Sequence, residues 1–245
     1  MLHTLEELSL NAWPALQTHL YDGWILRFAN GYTKRSNSVS PLYPAKISLP
    51  EKIDYCETAY HLHELPVIFK LTPESQPGEI DRQLEARQYV RLDETAVRLL
   101  QMRDYQYRIP AEVISENRFS QEWLNGFLHC ANLDLCLHDS AKAVLNHITG
   151  EVIVVRKEIG GRTVGCGFGA MERGYVGIFD IVVAPQYRGF GHGREIMDGI
   201  LRVAWEKGVK SAYLSVVVGN TVAENLYQKL GFQEVYRYWY RKLEM

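Results

Sequence analysis

The sequence predicts an α/β protein of the α+β type, with helices and strands in both halves of the chain. In the first hundred residues, segments with strand-like and helix-like patterns alternate. From residue 115 onward, the pattern predicts two helices, three strands, a helix, a strand, a helix and a final strand. Only the short turns GG and ERG separate the three strands, which is typical of an antiparallel meander.

The pattern of the first half begins with an apolar strand at Trp24–Phe28, followed by a polar, glycine-containing stretch that is typical of loops. Ile53, Cys56 and Tyr60 have helical spacing and predict a helix after Pro50. The segments PVIFKL, EIDRQLEARQY and ETAVRLLQM then predict a strand, a helix and a strand.

A change of pattern at Asp104–Val113 predicts a domain boundary, because the strand pattern stops there and a proline intervenes. We therefore expect an N-terminal α/β domain at residues 1–108 and a second domain at residues 109–245. The last three elements of the chain have the same order, strand, helix, strand, as the segments PVIFKL, EIDRQLEARQY and ETAVRLLQM of the first half. The two sets share few identical residues, and their common order suggests a duplicated topology.

The second half predicts longer elements. SQEWLNGFLHCANL carries Trp123, Phe127 and Cys130 along one helical face, and SAKAVLNHI predicts another helix. After the meander, which ends in GIFDIVVAP, an apolar stripe predicts a helix that runs to about Lys207. SAYLSVVVG predicts a buried strand, TVAENLYQKLG a short helix that ends at a glycine, and FQEVYRYWYRKL an alternating strand.

The composition favours a globular protein over other classes. The chain is 47% hydrophobic and 23% charged, with a formal net charge of -2, a balance that does not indicate nucleic acid or an anionic membrane as a partner. The N-terminus MLHTLEELSL does not resemble a signal peptide, and no apolar stretch approaches the roughly 20 residues of a membrane span. The four cysteines form no CxxC pair, so we expect no metal site and a cytoplasmic location.

The stretch APQYRGFGHGRE places three glycines at alternate positions between a strand that ends at Val183 and the start of a helix. Glycines there leave the backbone amides open to a ligand, and the amides and the helix dipole together favour an anion such as phosphate. Arg188 can add a charge-assisted contact, and His192 either contacts the phosphate or is simply exposed.

Two familiar phosphate loops fit this stretch poorly. A Walker loop needs lysine followed by Ser or Thr, whereas Arg194 and Glu195 follow the last glycine. A dinucleotide fingerprint needs GxGxxG within a parallel unit, whereas GFGHG follows a meander. A glycine-rich turn that only packs a helix against a strand stays open as an alternative.

A second motif lies about thirty residues further on. Arg188–Gly193 reads R-x-x-G-x-G, and the later stretch has the form N-x-x-A-x-x-L-Y-x-x-x-G-F, with Asn220, Ala223, Leu226, Tyr227 and LGF. These two motifs, on the expected strand and helix, resemble the GNAT acyltransferase superfamily over about residues 115–245. The segments DGWILRFANGYTKRSNSVSP and YRYWYRK further resemble a subgroup in which a divergent N-terminal region precedes the GNAT domain. The resemblance implies a mixed, mostly antiparallel sheet flanked by helices, and one interpretation of the N-terminal region is a degenerate GNAT-like copy.

The resemblance also implies a co-substrate, acetyl-CoA or another acyl-CoA. Its pantetheine arm would lie against Ile181–Val183 in a gap between the strands DIVV and LSVVV, and the amide of Val183 would polarise the thioester carbonyl. Its pyrophosphate would bind the loop amides of Arg188, Gly189, Phe190, Gly191, His192 and Gly193.

Four residues are candidates for catalysis or for holding the co-substrate. Tyr227 stands where the family has its general acid, although it could instead be a core aromatic. Asn220 either caps the following helix or binds the pantetheine arm. Asp180 and Glu172 are the candidate general bases, and a chain of water molecules is a third possibility.

The function that the resemblance implies is transfer of an acetyl (acyl) group from acetyl-CoA to a primary amine by direct attack. The acceptor is a small molecule or a protein, the N-terminal half covers the acceptor side, and the protein is a monomer or homodimer. The alternatives are a non-catalytic regulatory module that binds acyl-CoA and a nucleotide-binding transferase that uses GFGHG.

Overall fold

The computed structural model describes residues 1–105 and 113–243. The predicted boundary between residues 108 and 109 lies outside the described residues, so this division stays a prediction. The described chain forms two compact units, one made of Met1–Ala96 and the closing segment from Tyr236, the other of Val97–Val235.

The helices and strands follow the predicted order, with additional elements near the N-terminus and before the second half. In chain order they are α1 Leu2–Ala12, β1 Gln17–Tyr21, β2 Trp24–Phe28, β3 Val39–Ser40, α2 Leu49–Leu62, β4 Ile68–Leu71, α3 Ile80–Ala86, β5 Val90–Gln101, β6 Ile114–Glu116, α4 Gln121–Ala131, α5 His138–Asn146, β7 Glu151–Ile159, β8 Arg162–Glu172, β9 Tyr175–Val183, α6 His192–Glu206, β10 Ser211–Val217, α7 Thr221–Lys229 and β11 Gln233–Lys242. The sequence pattern did not predict α1, β1, β3 or β6, and the three strands among them have five residues or fewer.

The first unit contains a sheet with the strand order β1-β2-β3-β4-β11-β5. Its first two strands form a hairpin through Asp22 and Gly23, whose φ angles of 42° and 82° match a turn that suits an Asp-Gly pair. Helix α2 packs on the sheet through Ile53, Cys56 and Tyr60, all fully buried, as their helical spacing predicts.

The second unit has the strand order β10-β9-β8-β7-β6, with the end of β5 beside β10. Strands β7, β8 and β9 form the predicted antiparallel meander, and β10 runs parallel to β9. Helix α6 packs closely on β8, because a Cβ atom at Gly165 or Gly169 would lie 2.9 or 2.8 Å from an isoleucine of that helix. This close packing fixes the start of α6 beside the end of β9.

Helix α4 is held to the meander through the apolar face that the sequence predicts. Trp123, Phe127 and Cys130 are all buried. The indole Nε1 of Trp123 donates to the carbonyl of Val155 at 2.9 Å, and its ring lies edge-to-face with Phe168. The last turn of α4 is thereby positioned near the end of β9.

Candidate active site

The strands β9 and β10 separate towards their C-terminal ends. In the described residues their parallel pairing covers Tyr175–Ile178 and Ser211–Leu214, although β9 continues to Val183. The pairing of β9 with β8 shifts register opposite Gly167, where Asp180 has a φ of 51°. This β-bulge adds a residue to β9 and changes its direction. A cleft therefore opens between the strands, at the position expected between DIVV and LSVVV.

The glycine loop lies at the end of β9 and leads into α6. Gly189 and Gly191 have φ angles of 84° and 89°, in the left-handed region that strains other residues, and a Cβ atom on either would meet no atom within 4 Å. Gly193 differs from these two, because its φ is not in the left-handed region and a Cβ atom there would make an ordinary van der Waals contact with Leu226 at 3.6 Å. Since the first amides of a helix lack partners within the helix, the loop presents amide groups and the positive end of the helix dipole.

The loop, the end of β9 and one face of α7 enclose a cleft of about 590 Å³. Nine of the predicted site residues line it: Ile181, Val183, Arg188, Gly189, Gly191, His192, Gly193, Asn220 and Tyr227. The structure thus brings the two sequence motifs together around one space.

Basic side chains at the cleft are held in position by defined partners. The Nε of Arg188 donates to the carbonyl of Val183 at 3.0 Å, which ties the loop to the end of β9. The Nε of Arg194 donates to Asp198 at 2.8 Å, and Asp198 also accepts from the hydroxyl of Tyr105 at 2.6 Å.

His192 is held by the first turn of its own helix. Its Nδ1 lies 3.1 Å from Oε2 of Glu195, and the same carboxylate oxygen lies 3.1 Å from Nζ of Lys157. Burial opposes ionisation of Glu195, but the hydrogen bonds from His192 and Lys157 outweigh it and hold the pKa of that carboxyl below its usual value.

The second motif contributes α7. Asn220 caps this helix, because its Oδ1 accepts from the amide of Ala223 at 3.3 Å, so the capping interpretation accounts for its side-chain oxygen. Tyr227 is 9% exposed and lines the cleft, while its ring packs edge-to-face against Phe232. Its position fits both the core-aromatic and the general-acid interpretations.

The two candidate bases occupy different places. Asp180 lies in the bulge of β9. Burial is the main reason why the pKa of the Cys166 thiol is raised, and the negative charge of Asp180 adds to that rise. Glu172 pairs with Arg173 at 3.3 Å and lies opposite Tyr175, at the start of β9. With about 3.3 Å per strand residue, Glu172 is roughly 25 Å from the cleft end of this strand. The structure therefore does not bring Glu172 to the cleft.

Part of the cleft wall was not predicted from the sequence pattern. Cys130 and Ala131, at the end of α4, line it, and the Sγ of Cys130 lies 3.8 Å from the carbonyl oxygen of Thr163. Arg194 was considered only as a mismatch to the Walker loop, yet it also lines the cleft. The helical pattern of α4 predicted its buried face, but no local signal shows that its last turn borders the cleft.

Comparison with known protein families identifies the family to which the chain belongs. Residues 2–241 match the family described as "Probable histone acetyltransferase Rv0428c C-terminal". The chain belongs to this family and to the GNAT superfamily. The predicted α/β fold class and GNAT membership are confirmed. This GNAT protein is thus an enzyme of the acyl-CoA-dependent N-acyltransferase type.

Relatives of this GNAT protein include an uncharacterized N-acetyltransferase, YobR, of Bacillus subtilis, which is 26% identical over 98% of each chain. A thialysine N-epsilon-acetyltransferase of Mus musculus is 45% identical over 56 residues, which cover 23% of this chain and 33% of that protein.

Solved structures show the same fold at low identity. A GCN5-related N-acetyltransferase from Kribbella flavida has a TM-score of 0.73 at 13% identity, covering 98% of this chain and 94% of that one. A tandem GNAT protein from the clavulanic acid biosynthesis pathway has a TM-score of 0.64 at 12% identity, covering 98% and 87%. Across the described part of this GNAT protein, no helix is long and apolar enough to cross a membrane.

Proposed function

We propose that the protein transfers an acetyl group from acetyl-CoA to a primary amine, in the cytoplasm and as a monomer or homodimer. The observation that supports this most is that the glycine loop, the separated end of β9 and Tyr227 border a single cleft. An anion site beside an opened strand pair suits a ligand with phosphates at one end and a thioester at the other.

In this proposal the pyrophosphate of acetyl-CoA binds the amides of Arg188–Gly193, including that of Phe190. The positive φ angles of Gly189 and Gly191 support this, since they turn the backbone without placing side chains over the amides. The pantetheine arm lies along Ile181–Val183, where β9 has passed the last residue that pairs with β10. The open edge of a strand can hydrogen-bond an extended amide chain.

The chemistry is direct attack of the amine nitrogen on the thioester carbonyl carbon. The C–S bond breaks and the amide bond forms, while the amide of Val183 stabilises the charge that develops on the carbonyl oxygen. Tyr227 donates its phenolic proton to the departing thiolate, a group of comparable basicity. Asp180, directly or through water, accepts the proton that the amine loses, and it is better placed than Glu172 because it lies in the bulge beside the cleft.

The acceptor is an amine on a small molecule or a protein. We propose that the N-terminal unit helps to determine the choice of acceptor. Its strand–helix–strand run β4–α3–β5 has the same order as β10–α7–β11, which supports a degenerate GNAT-like copy. The neighbour described as a tandem GNAT protein supports the same proposal.

Two measurements on the purified protein test the proposal. Isothermal titration should show binding of CoA but not of ATP or NAD, and incubation of acetyl-CoA with a panel of amines should release free thiol. Binding without thiol release from any amine would favour the non-catalytic acyl-CoA-binding module. Binding of ATP or NAD instead of CoA, which would also stabilise the folded protein against unfolding, would favour a nucleotide-binding transferase.

A further inference from the structure

Phe190 is a large apolar residue held out in solvent. Its side chain stands at the centre of the glycine loop, and the residue is 74% exposed. The glycines on both sides of it have positive φ angles, so the backbone conformation of the loop directs this ring away from the core. The ring buries little of its own apolar area in the protein, and therefore contributes little to the stability of the fold.

In the described part of the chain, the ring of Phe190 has an aromatic neighbour, the imidazole of His192. Its centroid lies 6.4 Å from that of His192, and the two planes are inclined by 33°. His192 is itself fixed by Glu195, which is paired with Lys157. An exposed aromatic ring beside a second, immobilised ring forms a small platform at the loop, next to the cleft that His192 lines.

The position of the platform beside the cleft indicates which part of a bound CoA molecule would contact it. If the pyrophosphate binds the loop amides and the pantetheine arm enters the cleft, the adenosine end of CoA must leave on the other side of the loop. A purine base is flat and has a π face that stacks on aromatic side chains. The outward ring of Phe190 is the large apolar surface that the described part of this loop offers to such a base.

We propose that Phe190, together with His192, is the platform on which the adenine base of CoA stacks. Through it the enzyme distinguishes CoA thioesters from thioesters of phosphopantetheine, which have no adenosine. This inference rests on the proposed function, because it places the phosphates of CoA at the glycine loop.

The test compares three ligands, CoA, dephospho-CoA and 4′-phosphopantetheine, by titration calorimetry. The wild-type protein should bind both adenosine-containing ligands more tightly than 4′-phosphopantetheine. Phe190→Ala should weaken CoA and dephospho-CoA about tenfold or more, as expected for loss of one base–aromatic stack, and leave 4′-phosphopantetheine within about twofold. Phe190→Trp, which retains a flat ring, should keep wild-type affinity for all three.

Leu135→Ala is the matched control, because Leu135 is 84% exposed and is a large apolar residue on the connection between α4 and α5. It should leave all three affinities unchanged. Unchanged CoA affinity in Phe190→Ala, or an equal loss for CoA and 4′-phosphopantetheine, would overturn the inference. If the wild-type protein bound none of the three ligands, the proposed function itself would fail.

Discussion

The three glycines of the loop act in two different ways. Gly189 and Gly191 allow a left-handed backbone conformation, whereas Gly193 has no such φ and a Cβ atom there would only make an ordinary contact with Leu226. A substitution at Gly191 therefore adds both conformational strain and a side chain in front of the amides, while a substitution at Gly193 is mainly a packing change. These effects can be separated by comparing glycines with similar φ angles at different places.

At Gly191, substitution by aspartate should abolish CoA binding, with an affinity loss of about 100-fold or more, because a carboxylate would stand where the pyrophosphate binds. Gly161→Asp is the control: Gly161 also has a positive φ, 74°, and open space around it, but lies in the turn between β7 and β8. Calorimetric titration with CoA should show normal affinity for the control. If Gly191→Asp bound CoA tightly, the proposal that the pyrophosphate binds this loop would be wrong.

At Tyr227, removal of the hydroxyl should separate chemistry from binding. Tyr227→Phe keeps the ring against Phe232 but cannot donate a proton, so we expect turnover to fall by about 100-fold while the Kd for CoA changes less than about twofold. Tyr187→Phe removes the other tyrosine hydroxyl at the described cleft wall and should leave turnover near that of the wild type. The rate of thiol release at saturating acetyl-CoA and acceptor measures the turnover of both variants, and calorimetric titration measures the Kd for CoA. Equal turnover in Tyr227→Phe and the wild type would assign this tyrosine to the core.

At the scale of single elements, β9 and α7 carry most of the site, and they differ in how far the sequence predicts them. Helix α7 follows from its cap, its apolar spacing and its terminal glycine, all of which are local signals. The bulge in β9 does not, because Asp180 adopts a φ of 51° in a run of apolar residues with no glycine at that point. Its conformation depends on the register with β8, which local sequence does not encode.

The same distinction applies to the residues around the cleft. The loop and Asn220 were found because each lies at the end of an element and carries a recognisable residue type. Cys130 lines the cleft through the packing of α4 on β8, a contact between distant parts of the chain. Glu172 was considered for its closeness in sequence, yet it lies at the opposite end of β9 because the meander reverses direction after it.

The cap of α7 gives a prediction for this element. Asn220→Ala should lower the free energy of unfolding by about 1 kcal/mol, since the amide of Ala223 would lose its side-chain acceptor. Asn220→Ser, which can still accept this hydrogen bond, should lie within a few tenths of a kcal/mol of the wild type. Urea denaturation followed by circular dichroism measures the differences. If alanine and serine had the same effect, the capping role would be wrong.

At the scale of the whole molecule, the closing strand completes the sheet of the first unit. Strand β11 pairs with β4 and lies between it and β5. Arg241 fixes this strand, because its guanidinium donates to both carboxylate oxygens of Asp81 at 2.8 and 3.1 Å, and the indole of Trp239 donates to the same carboxylate at 2.8 Å. The hydrogen bonds from Arg241, with a further one from Trp239, lower the pKa of Asp81.

This carboxylate should make stability depend on pH in the acid range. Because the pKa of Asp81 is lower in the folded protein than its ordinary value of 3.8, its contribution is fully present above that value and is lost as the pH falls through the lowered pKa. Asp81→Asn should therefore reduce stability at pH 6 and show a smaller decrease between pH 5 and acid conditions. Urea unfolding at a series of pH values measures this. Glu122→Gln, at an exposed residue of α4, is the control and should keep the wild-type pH profile.

The position of β11 has a consequence for the way the protein is made. Residues up to Ala96 are translated before the second unit, but the strand that lies between β4 and β5 is translated after nearly all of that unit. Until β11 has been synthesised, both of those strands have an unpaired edge that can accept a strand from another nascent chain. The sheet of the first unit is thus completed only after the second unit has been synthesised, and the time for which these two edges stay exposed depends on the rate of translation.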